Sequence, residues 1–265
     1  MKFAWLTDIH LNFAQEHVWR QLFSVIRMSS PYAIMISGDI GEATSITAYL
    51  CEISAFSDCP VYFVLGNHDY YHGSLTKVRS EIDDLCRGSQ NLTWLSNSGI
   101  IELAPGIGLL GHDSWADGRF GNYKCSDVEL NDYFLVGDLA NRSKTQRLKV
   151  MQQFAGEAAD HMERLLEKIS SHYRELIIIT HVPPFRESCW HEGRISDDNW
   201  LPHFSSQIMG DVLWNFAEAN PQTQMSVFCG HTHGSGTAII LPNLVVHTGE
   251  ADYGRPKLQR MIEIG

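Results

Sequence analysis

Five short apolar runs in this chain each end on polar side chains that can bind a metal ion. The runs have the length and composition of buried strands, and Phe3-Ala4-Trp5-Leu6 is typical of them. The carboxyl ends of strands in a buried sheet gather at one edge, so residues far apart in sequence are expected to meet there. The motifs that follow the five runs are Asp8-Ile9-His10, Gly38-Asp39, Gly66-Asn67-His68-Asp69, Thr180-His181 and Gly230-His231-Thr232-His233.

The first ninety residues alternate predicted strands and helices. This alternation favours a largely parallel sheet with right-handed crossovers. The predicted strands cover 2–7, 32–37 and 61–65, and the predicted helices cover 16–28, 44–56 and 74–87. Residues 93–111 are expected to form a meander of short strands that is broken at Pro105-Gly106.

The second half begins with a long predicted helix over 143–172, whose apolar residues step by three and four. A strand at 175–180, a helix at 206–219 and a strand at 225–229 follow. The tail is expected to form three antiparallel strands over 237–264. These strands exceed what one central sheet needs, so we predict a single α/β domain over 1–265, with two packed sheets and helices outside.

Two stretches of the chain have weak periodicity and are rich in polar and aromatic residues. They cover residues 112–142 and 183–205. We expect both to be irregular segments that cover one edge of the sheets, because neither carries a sustained helical or strand pattern.

Composition limits the classes of substrate. The chain has 265 residues, 44% of them apolar, which is enough for one large core. Its 31 acidic and 20 basic residues give a net charge of -11, and no Lys/Arg run stands out. A long nucleic-acid backbone would therefore find no basic track, which disfavours a nucleic-acid partner without excluding it. A bound metal pair would offset acidic charge, so a small anionic substrate stays compatible.

The cysteine pattern and the N-terminal sequence favour a cytoplasmic protein. The six cysteines show no C-x-x-C spacing and are expected to be reduced thiols. The chain enters a predicted strand at once, and Asp8 is already a candidate ligand, so we expect no signal peptide. No apolar run approaches the length that a membrane-spanning helix needs.

The ligand types indicate the kind of metal. Oxygen and imidazole donors without thiolates suit Mn²⁺, Fe or Zn²⁺. Each motif alone is weak evidence, since a lone strand-end histidine such as His181 is more often structural. The ordered set of five motifs at strand ends is what indicates a metal-dependent hydrolase.

This ordered set resembles the pattern of the calcineurin-like metallophosphoesterase family. That pattern is D-x-H, G-D-x-x, G-N-H-[DE], a strand-end His and G-H-x-H, and every polar position of it is present here. The resemblance covers residues 3–70 and 175–250, whereas 71–174 match only as connecting structure. It implies a four-layer α/β/β/α sandwich, which agrees with the two packed sheets expected above.

The resemblance also implies two divalent metal ions, with manganese expected and iron or zinc as alternatives. Asp39 would bridge the two ions, because its two oxygens can each bind one cation. A hydroxide between the ions would attack phosphorus, and no covalent protein intermediate is required. The implied ligands are Asp8, His10, Asp39 and His233 for one ion and Asp39, Asn67, His181 and His231 for the other.

The resemblance also implies a role for His68, which is next to Asn67, while Asp69 and Arg119 are candidates by their own chemistry. His68 is expected to stabilise the transition state or to protonate the leaving oxygen. Asp69 would orient His68, and its alternative role is to cap a local turn. Asn67 and His68 would also contact substrate, and Arg119 is a candidate phosphate ligand or a solvated surface residue.

The sequence constrains the roles of aromatic and histidine residues in the loops less closely. Aromatic side chains there are expected either to wall a substrate pocket or to pin a loop to the core. His191 and His203 are expected to be loop or surface histidines and not ligands. The aromatic candidates are Tyr70, Tyr71, Trp115, Trp190 and Trp200.

We therefore predict a binuclear metal-dependent hydrolase of a small phosphate ester, with a phosphodiester or nucleotide favoured. Phosphomonoesterase, nucleotide pyrophosphatase, nuclease and protein phosphatase remain alternatives, because fold and shared metal chemistry do not choose among them. A non-catalytic scaffold is disfavoured, since such a protein would be expected to lose ligands and none is missing. The oligomeric state stays open.

Overall fold

A computed structural model of the chain describes residues 1–169 and 172–264. Helices and strands alternate over residues 2–94, whereas the later elements come in runs of strands and runs of helices. The described α-helices are α1 (Glu16–Met28), α2 (Ile46–Phe56), α3 (Leu75–Gly88), α4 (Asp132–Leu135), α5 (Lys144–Leu166), α6 (Leu201–Phe204) and α7 (Gln207–Ala219). The described strands are β1 (Lys2–Leu6), β2 (Ala33–Ser37), β3 (Val61–Val64), β4 (Leu92–Trp94), β5 (Ile101–Ala104), β6 (Ile107–His112), β7 (Glu175–Thr180), β8 (Trp190–His191), β9 (Arg194–Ile195), β10 (Gln224–Cys229), β11 (Gly236–Leu241), β12 (Leu244–Thr248) and β13 (Arg260–Glu263).

The long strands form two mixed sheets. The first sheet has the order β13-β1-β2-β3-β4, and the second has the order β11-β12-β10-β7-β6-β5. In the first sheet β1 to β4 run parallel, while β13 is antiparallel to β1. In the second sheet β12, β10, β7 and β6 run parallel, and β11 and β5 are antiparallel edges. The predicted α/β class with two mixed sheets is confirmed.

Alternation of side chains along β1 places the first sheet between two apolar layers. Phe3 and Trp5 point to one face, where they pack in a cluster that includes Ile177 and Phe228 of the second sheet. Residues that alternate with them, such as Leu6, point to the other face and pack with the helices. Successive strand residues point to opposite faces, so one fully apolar strand serves both cores.

The second sheet is covered on its outer face in the same way. Ile178 and Val227 pack in a cluster with Met162 of α5 and Leu213 of α7. The order of layers is therefore helices, first sheet, second sheet, helices. This is the four-layer α/β/β/α sandwich that the sequence resemblance implied.

The long helix α5 begins where predicted and ends earlier. Ser143 and Gln146 form a reciprocal capping box at its start, which satisfies backbone donors that a helix terminus leaves free. The helix ends at Leu166, six residues before the predicted end at 172. Residues 170 and 171 of that prediction lie outside the described residues.

Two predicted strand groupings are wrong. Residues 93–111 do not form one meander, because β4 pairs with β3 in the first sheet while β5 and β6 pair in the second. The tail does not form three antiparallel strands either, since β13 pairs with β1 in the opposite sheet from β11 and β12. Apolar alternation identifies a strand but leaves its partner open, because the pairing depends on contacts distant in sequence.

The segments 112–142 and 183–205 are largely irregular, as predicted. The first contains the short helix α4, and the second contains the β8–β9 hairpin and α6. Both contact the strand-end motifs, through Asp132 in the first and His203 in the second. Among the described residues, no helix is both long enough and apolar enough to cross a bilayer.

Candidate metal centre

The five predicted motifs converge at one edge of the two sheets. Asp8 follows β1, Asp39 follows β2 and Asn67 follows β3, while His181 and His231 follow β7 and β10. Backbone hydrogen bonds tie neighbouring loops together, with Asp8 N donating to Gly38 O over 3.0 Å. Strand order rather than chain order decides which motifs become neighbours, so residues far apart in sequence share this site.

The backbone at this edge is strained. Five of the ten non-glycine residues with positive φ in the described ranges are predicted ligands. A left-handed conformation costs an ordinary residue about 1–2 kcal/mol, so such a cluster marks a place where geometry is set by function. The five residues and their φ angles are Asp8 (48°), His10 (40°), Asp39 (54°), His231 (71°) and His233 (58°).

Two glycines let the loops approach each other closely. A Cβ added at Gly66 would lie 2.1 Å from Oδ1 of Asp39. A Cβ added at Gly230 would lie 1.8 Å from Oδ2 of Asp8. Neither distance is sterically possible, so the carboxylates occupy space that only glycine leaves free.

The predicted ligands of the first ion form a compact cluster. The ligand atoms of Asp8, His10, Asp39 and His233 all lie within 4.8 Å of one another. Nε2 of His10 lies 3.1 Å from Nε2 of His233, and 3.8 Å from Oδ2 of Asp39. Imidazole nitrogens bound to one ion at about 2.0–2.1 Å would lie about 3 Å apart, so this spacing fits a shared ion.

The predicted ligands of the second ion meet around the amide oxygen of Asn67. Oδ1 of Asn67 lies 2.9 Å from Nε2 of His181 and 2.8 Å from Nδ1 of His231. Oδ1 of Asp39 lies 3.5 Å from Nε2 of His181. Asp39 thus faces both ligand groups, one with each carboxylate oxygen.

The hydrogen bonds on the far sides of the two imidazoles fix their tautomers. Nδ1 of His181 lies 2.8 Å from Ser37 O, and Nε2 of His231 lies 3.0 Å from His203 O. A carbonyl oxygen only accepts, so these nitrogens carry the protons and the opposite nitrogens are bare. Two bare nitrogens and the oxygen of Asn67 then point lone pairs at one place, an arrangement that a cation would satisfy.

The pKa values of the candidate ligands are shifted by burial and by neighbouring groups of the same kind. Burial, and then the nearby carboxylates of Asp8 and Asp69, hold the pKa of Asp39 well above its usual range. Burial and the surrounding imidazoles hold the pKa of His10 well below its usual range. Burial, followed by His181, lowers the pKa of His231 to about 4. Metal ions bind neutral imidazoles and ionised carboxylates. The low pKa values of the imidazoles therefore favour metal binding, and a bound cation would stabilise the ionised form of Asp39.

Asp132 of α4 was missed by the sequence analysis. Nδ2 of Asn67 donates to Oδ1 of Asp132 over 2.8 Å, and the hydroxyl of Tyr71 donates to the same oxygen over 2.6 Å. The buried carboxylate therefore holds the Asn67 amide with its oxygen turned towards His181 and His231. Asp132 lies in a segment without periodicity, and the sequence carried no signal for it beyond one acidic residue before an apolar pair.

His68 lies over the first ligand group. Its ring stacks on Tyr71 at a centroid distance of 4.2 Å and meets the edge of His10 at 4.5 Å. Nε2 of His68 lies 3.5 Å from the hydroxyl of Tyr253, and its buried Nδ1 lacks a hydrogen-bond partner among the described residues. Burial and the imidazoles of the centre, His233 first among them, lower the pKa of His68 to about 3.

The predicted orienting role of Asp69 is wrong. Its Oδ1 accepts hydrogen bonds from the backbone N–H groups of Ile40 and Gly41, at 2.9 and 2.7 Å. Its Oδ2 accepts from Gly66 N at 2.8 Å. The carboxylate therefore ties the Asp39 loop to the Asn67 loop, which is the turn-binding alternative. Short polar side chains readily bind local backbone donors, and this competes with contacts to a neighbouring ring.

Of the two roles expected for Arg119, phosphate ligand and solvated surface residue, the structure does not support the first. Its Nη1 pairs with Oδ2 of Asp117 at 3.0 Å, and its backbone N–H donates to Oδ1 of the same residue at 2.9 Å. The residues that line the opening over the metal centre do not include it. The structure therefore gives Arg119 a local ion pair and no place beside the predicted phosphate position.

The expectation that His203 is a loop or surface histidine is wrong. His203 is buried in α6, where its ring contacts Ser126 and Tyr133 and its carbonyl accepts from His231. His191 is half-buried, and its Nδ1 lies 2.9 Å from Thr232 O. His203 thus supports His231 directly, whereas His191 contacts the loop between His231 and His233.

The aromatic candidates divide between the two expected roles. Tyr70 is fully buried and donates to Asp113, and Trp200 stacks on Phe204 at 5.0 Å. Tyr71 lines the opening, and Trp115 lines a small cavity behind the second ligand group.

The opening over the centre is a cavity of about 180 Å³. Apart from Leu130, its walls are aromatic or polar and, within the described residues, include neither lysine nor arginine. A larger groove of about 870 Å³ lies between α2 and α3 and holds none of the predicted ligands. The lining residues of the opening are Asn67, His68, Tyr71, Leu130, Asn131, Asp132, His191, Phe204, His231, Thr232, His233 and Tyr253.

Comparison with known sequences agrees with this site. The sequence profile of the calcineurin-like phosphoesterase family matches residues 1–235, which contain all of the predicted ligands. An uncharacterized metallophosphoesterase of Campylobacter jejuni is 32% identical over 118 residues, which are 42% of this chain. The match spans 30% of that relative's length.

Comparison with solved structures agrees with the fold. A phosphopantetheinyl hydrolase from Mycobacterium tuberculosis superposes with a TM-score of 0.70 at 12% identity, covering 96% of this chain and 90% of the other. A dimetal phosphatase from Danio rerio superposes with a TM-score of 0.60 at 14% identity, covering 94% of this chain and 87% of the other. At these identities the likeness concerns the fold alone.

Proposed function

Because this chain belongs to the calcineurin-like phosphoesterase family, we propose that it is a metal-dependent hydrolase of a small phosphodiester, a nucleotide ester included. Members of the family typically bind two divalent ions. The candidate ligands here include the compact group of Asp8, His10, Asp39 and His233. The proposal covers one domain over residues 1–265, with 112–142 and 183–205 as its covering segments.

The charge around the opening carries the preference for a diester. Two divalent ions would bring four positive charges, and the carboxylates of Asp8, Asp39 and Asp132 bring three negative ones. Among the described residues that line the opening, neither lysine nor arginine adds a further positive charge. A centre with so little excess positive charge suits a phosphodiester with one negative charge better than a monoester with two.

The two ions, when bound, would act as Lewis acids and lower the pKa of water at the site. Asp39 would hold both, with Asp8, His10 and His233 on one side and Asn67, His181 and His231 on the other. The residues of the chain orient this set through Ser37 O, His203 O and the Asp132 carboxylate. Manganese is the ion that we propose first, since the donors are oxygen and imidazole without thiolate.

We assign His68 a hydrogen-bonding role in the transition state. Its lowered pKa keeps the imidazole neutral at neutral pH, so it can donate one N–H to a phosphoryl oxygen but is a weak source of a full proton. His68→Ala should keep both ions and lower kcat by about a hundredfold, the scale of one lost transition-state donor. We expect similar losses with good and poor leaving groups, and a loss that grows with leaving-group pKa would show proton donation instead.

Hydrolysis of matched chromogenic esters tests the proposed activity. The substrates are p-nitrophenyl phosphate and bis(p-nitrophenyl) phosphate, each with Mn²⁺, Zn²⁺ and Mg²⁺. We expect kcat/KM to favour the diester, because the monoester's second charge has no cationic side chain at the opening. A strong preference for the monoester would contradict the proposal, and turnover of neither ester with any ion would remove the enzymatic interpretation.

We also propose a cytoplasmic location. All six cysteines lie within the described residues and have free thiols. Reduced thiols are typical of cytosolic proteins, whereas secreted domains commonly pair their cysteines.

A further inference from the structure

Two aromatic rings form a half-exposed surface beside the opening. Phe13 and Tyr253 are each 51% exposed, and their ring centroids lie 4.8 Å apart. We name this pair the aromatic rim. Single exposed apolar residues are common on protein surfaces, whereas contiguous apolar surface beside a ligand groove is a feature of binding sites.

The rim is fixed to the predicted first ligand group. The ring of Tyr253 lies 4.6 Å from His10 and 5.1 Å from His233, between centroids. Phe13 belongs to the short 3₁₀ helix that begins directly after His10. Because both rings are tied to the same loop, a group that rests on the rim has a defined position relative to the centre.

The rim also reaches into the opening. Tyr253 lines the cavity, and its hydroxyl lies 3.5 Å from Nε2 of His68. The inner end of this side chain therefore faces the predicted phosphate position, while its exposed face and Phe13 extend away from it. A substrate with its phosphorus at the centre would place one ester arm over these two rings.

We propose that the aromatic rim binds a planar ring carried by one ester arm of the substrate, an inference that rests on the phosphodiesterase activity proposed above. The substrate class is then a phosphodiester with an aryl or nucleobase ring. Stacking on protein aromatics commonly strengthens binding by about tenfold or more. The family profile matches residues 1–235, so Tyr253 lies outside the matched region.

Binding of phosphinates, in which both substituents are joined to phosphorus through carbon and no ester bond can be cleaved, tests the rim separately from turnover. The probes are methyl(phenylmethyl)phosphinate, methyl(cyclohexylmethyl)phosphinate and the methylphosphinate of a thymidine whose 5′ oxygen is replaced by CH2, which share one negative charge. Calorimetric titrations into the manganese-loaded protein should give phenyl binding about tenfold tighter than cyclohexyl, because only the planar ring stacks. The thymidine probe shows whether a nucleobase reaches the rim through its sugar.

Substitutions at the rim should remove this preference. Tyr253→Leu and Phe13→Leu keep apolar bulk and lose the ring, so the phenyl-to-cyclohexyl ratio should fall towards one. Tyr253→Phe keeps the ring and should keep the ratio. Tyr32→Leu is the matched control, because Tyr32 is 46% exposed and packs on Phe3 far from the opening. Metal content is measured for every variant, so that a lost ion is not mistaken for a lost ring.

Two outcomes would overturn the rim. One is equal affinity of the wild-type protein for phenyl and cyclohexyl probes, and the other is an unchanged ratio in both leucine variants. If the protein hydrolyses diesters but binds the phenyl and cyclohexyl probes equally, only the proposed role of the rim is refuted. A protein that shows the ratio but hydrolyses no diester would refute the proposed function and leave the rim as a ligand-binding surface.

Discussion

Two buried aspartates of this molecule each follow a strand, but their surroundings stabilise the ionised carboxylate in one and destabilise it in the other. Asp39 lies two residues after the end of β2, and Asp113 directly follows β6. Each is 1% exposed, and each lies at the carboxyl edge of a sheet. Sequence pattern alone gives both the same description, that of a polar residue after a buried strand.

Asp113 is fully supplied with donors. Burial by itself would raise the pKa of Asp113, but His112, Arg79 and the hydrogen bonds it accepts outweigh burial and leave the pKa lowered. A carboxylate with this many partners is stable inside a protein. Its donors are the backbone N–H of Leu65 at 2.7 Å, Nε1 of Trp94 at 2.9 Å, the hydroxyl of Ser96 at 2.6 Å and the hydroxyl of Tyr70 at 2.7 Å.

Asp39 lacks such support. Its Oδ1 accepts one backbone hydrogen bond, from His68 N at 2.9 Å, and its other near neighbours are imidazoles with lowered pKa and the carboxylate of Asp8. A buried carboxylate in these surroundings is costly unless a cation is added. The contrast teaches that an unsatisfied polar cluster points to a missing charge, whereas a satisfied one points to architecture.

The substitution Asp39→Asn tests the carboxylate that lacks hydrogen-bond donors, and it should have the largest effect of the three substitutions. It removes the charge that would bridge both ions, so we expect kcat to fall by at least about a thousandfold, the scale of lost electrostatic stabilisation in a reaction. The metal-free protein should become more stable at pH 7. Turnover with Mn²⁺, metal content by mass spectrometry and urea unfolding after chelation measure these changes.

The stability change has a defined dependence on pH. The pKa of Asp39 is higher in the folded protein than its unfolded value of 3.8. As pH rises above 3.8, Asp39 therefore ionises in the unfolded chain while it is still protonated in the folded protein. The contribution of Asp39 to the free energy of unfolding therefore decreases as pH rises from 3.8. In Asp39→Asn this decrease should be absent, because the amide does not ionise. A metal-free variant that is less stable than the wild type at pH 7 would contradict the account of Asp39 as an uncompensated charge.

Asp113→Asn tests the satisfied side and should have the next largest effect. An amide cannot accept all four donors, so we expect unfolding free energy to drop by about 3 kcal/mol, the scale for breaking a buried charged network. Because the folded pKa is lowered, this contribution is present above 3.8 and is lost as pH falls through the folded pKa. Metal content and turnover of the folded protein should stay within a few-fold of wild type.

A matched control separates burial from charge in this experiment. Asp58 pairs with Arg27 at the surface, and Asp58→Asn should change unfolding free energy by less than about 1 kcal/mol. Urea unfolding of both variants measures the difference. If Asp113→Asn lost metal ions while keeping its stability, the division between the two aspartates would fail.

The sequence predicted the parts of this molecule that depend on local pattern. Strands and helices of the first ninety residues were placed within two residues, because each carries its own apolar periodicity and its own polar end. The ligand motifs were found for the same reason. The partners of β4 and β13 were missed because strand pairing depends on distant contacts.

Support for the site could not be predicted in the same way. Asp69 binds three backbone N–H groups, and a backbone donor leaves no mark on the sequence. Asp132 and His203 act from irregular segments, where residue type alone does not indicate a partner. Positions of this kind follow from tertiary contacts and become visible only with the fold.

Asp132 is intermediate between the two aspartates, and Asp132→Asn should have the smallest effect of the three. Like Asp113 it accepts side-chain hydrogen bonds, although only two, from Asn67 and Tyr71, and like Asp39 it lies beside the candidate centre. Substitution would release the Asn67 amide, so we expect affinity for the second ion to fall by about 10–100-fold, as is usual when a residue behind a ligand is removed. Affinity for the first ion should change little, because its candidate ligands do not contact Asp132.

Manganese titration followed by calorimetry resolves this effect, since two binding steps in the wild-type protein should separate into one tight and one weakened step. Asp127→Asn is the matched control on the same segment, because Asp127 is exposed and pairs with Asn199 away from the opening. Equal weakening of both steps would mean that α4 supports the whole centre rather than the Asn67 side. Unchanged affinity would mean that the strained backbone of the strand-end loops fixes the ligands by itself, and the role of the covering segment would then lie in substrate access.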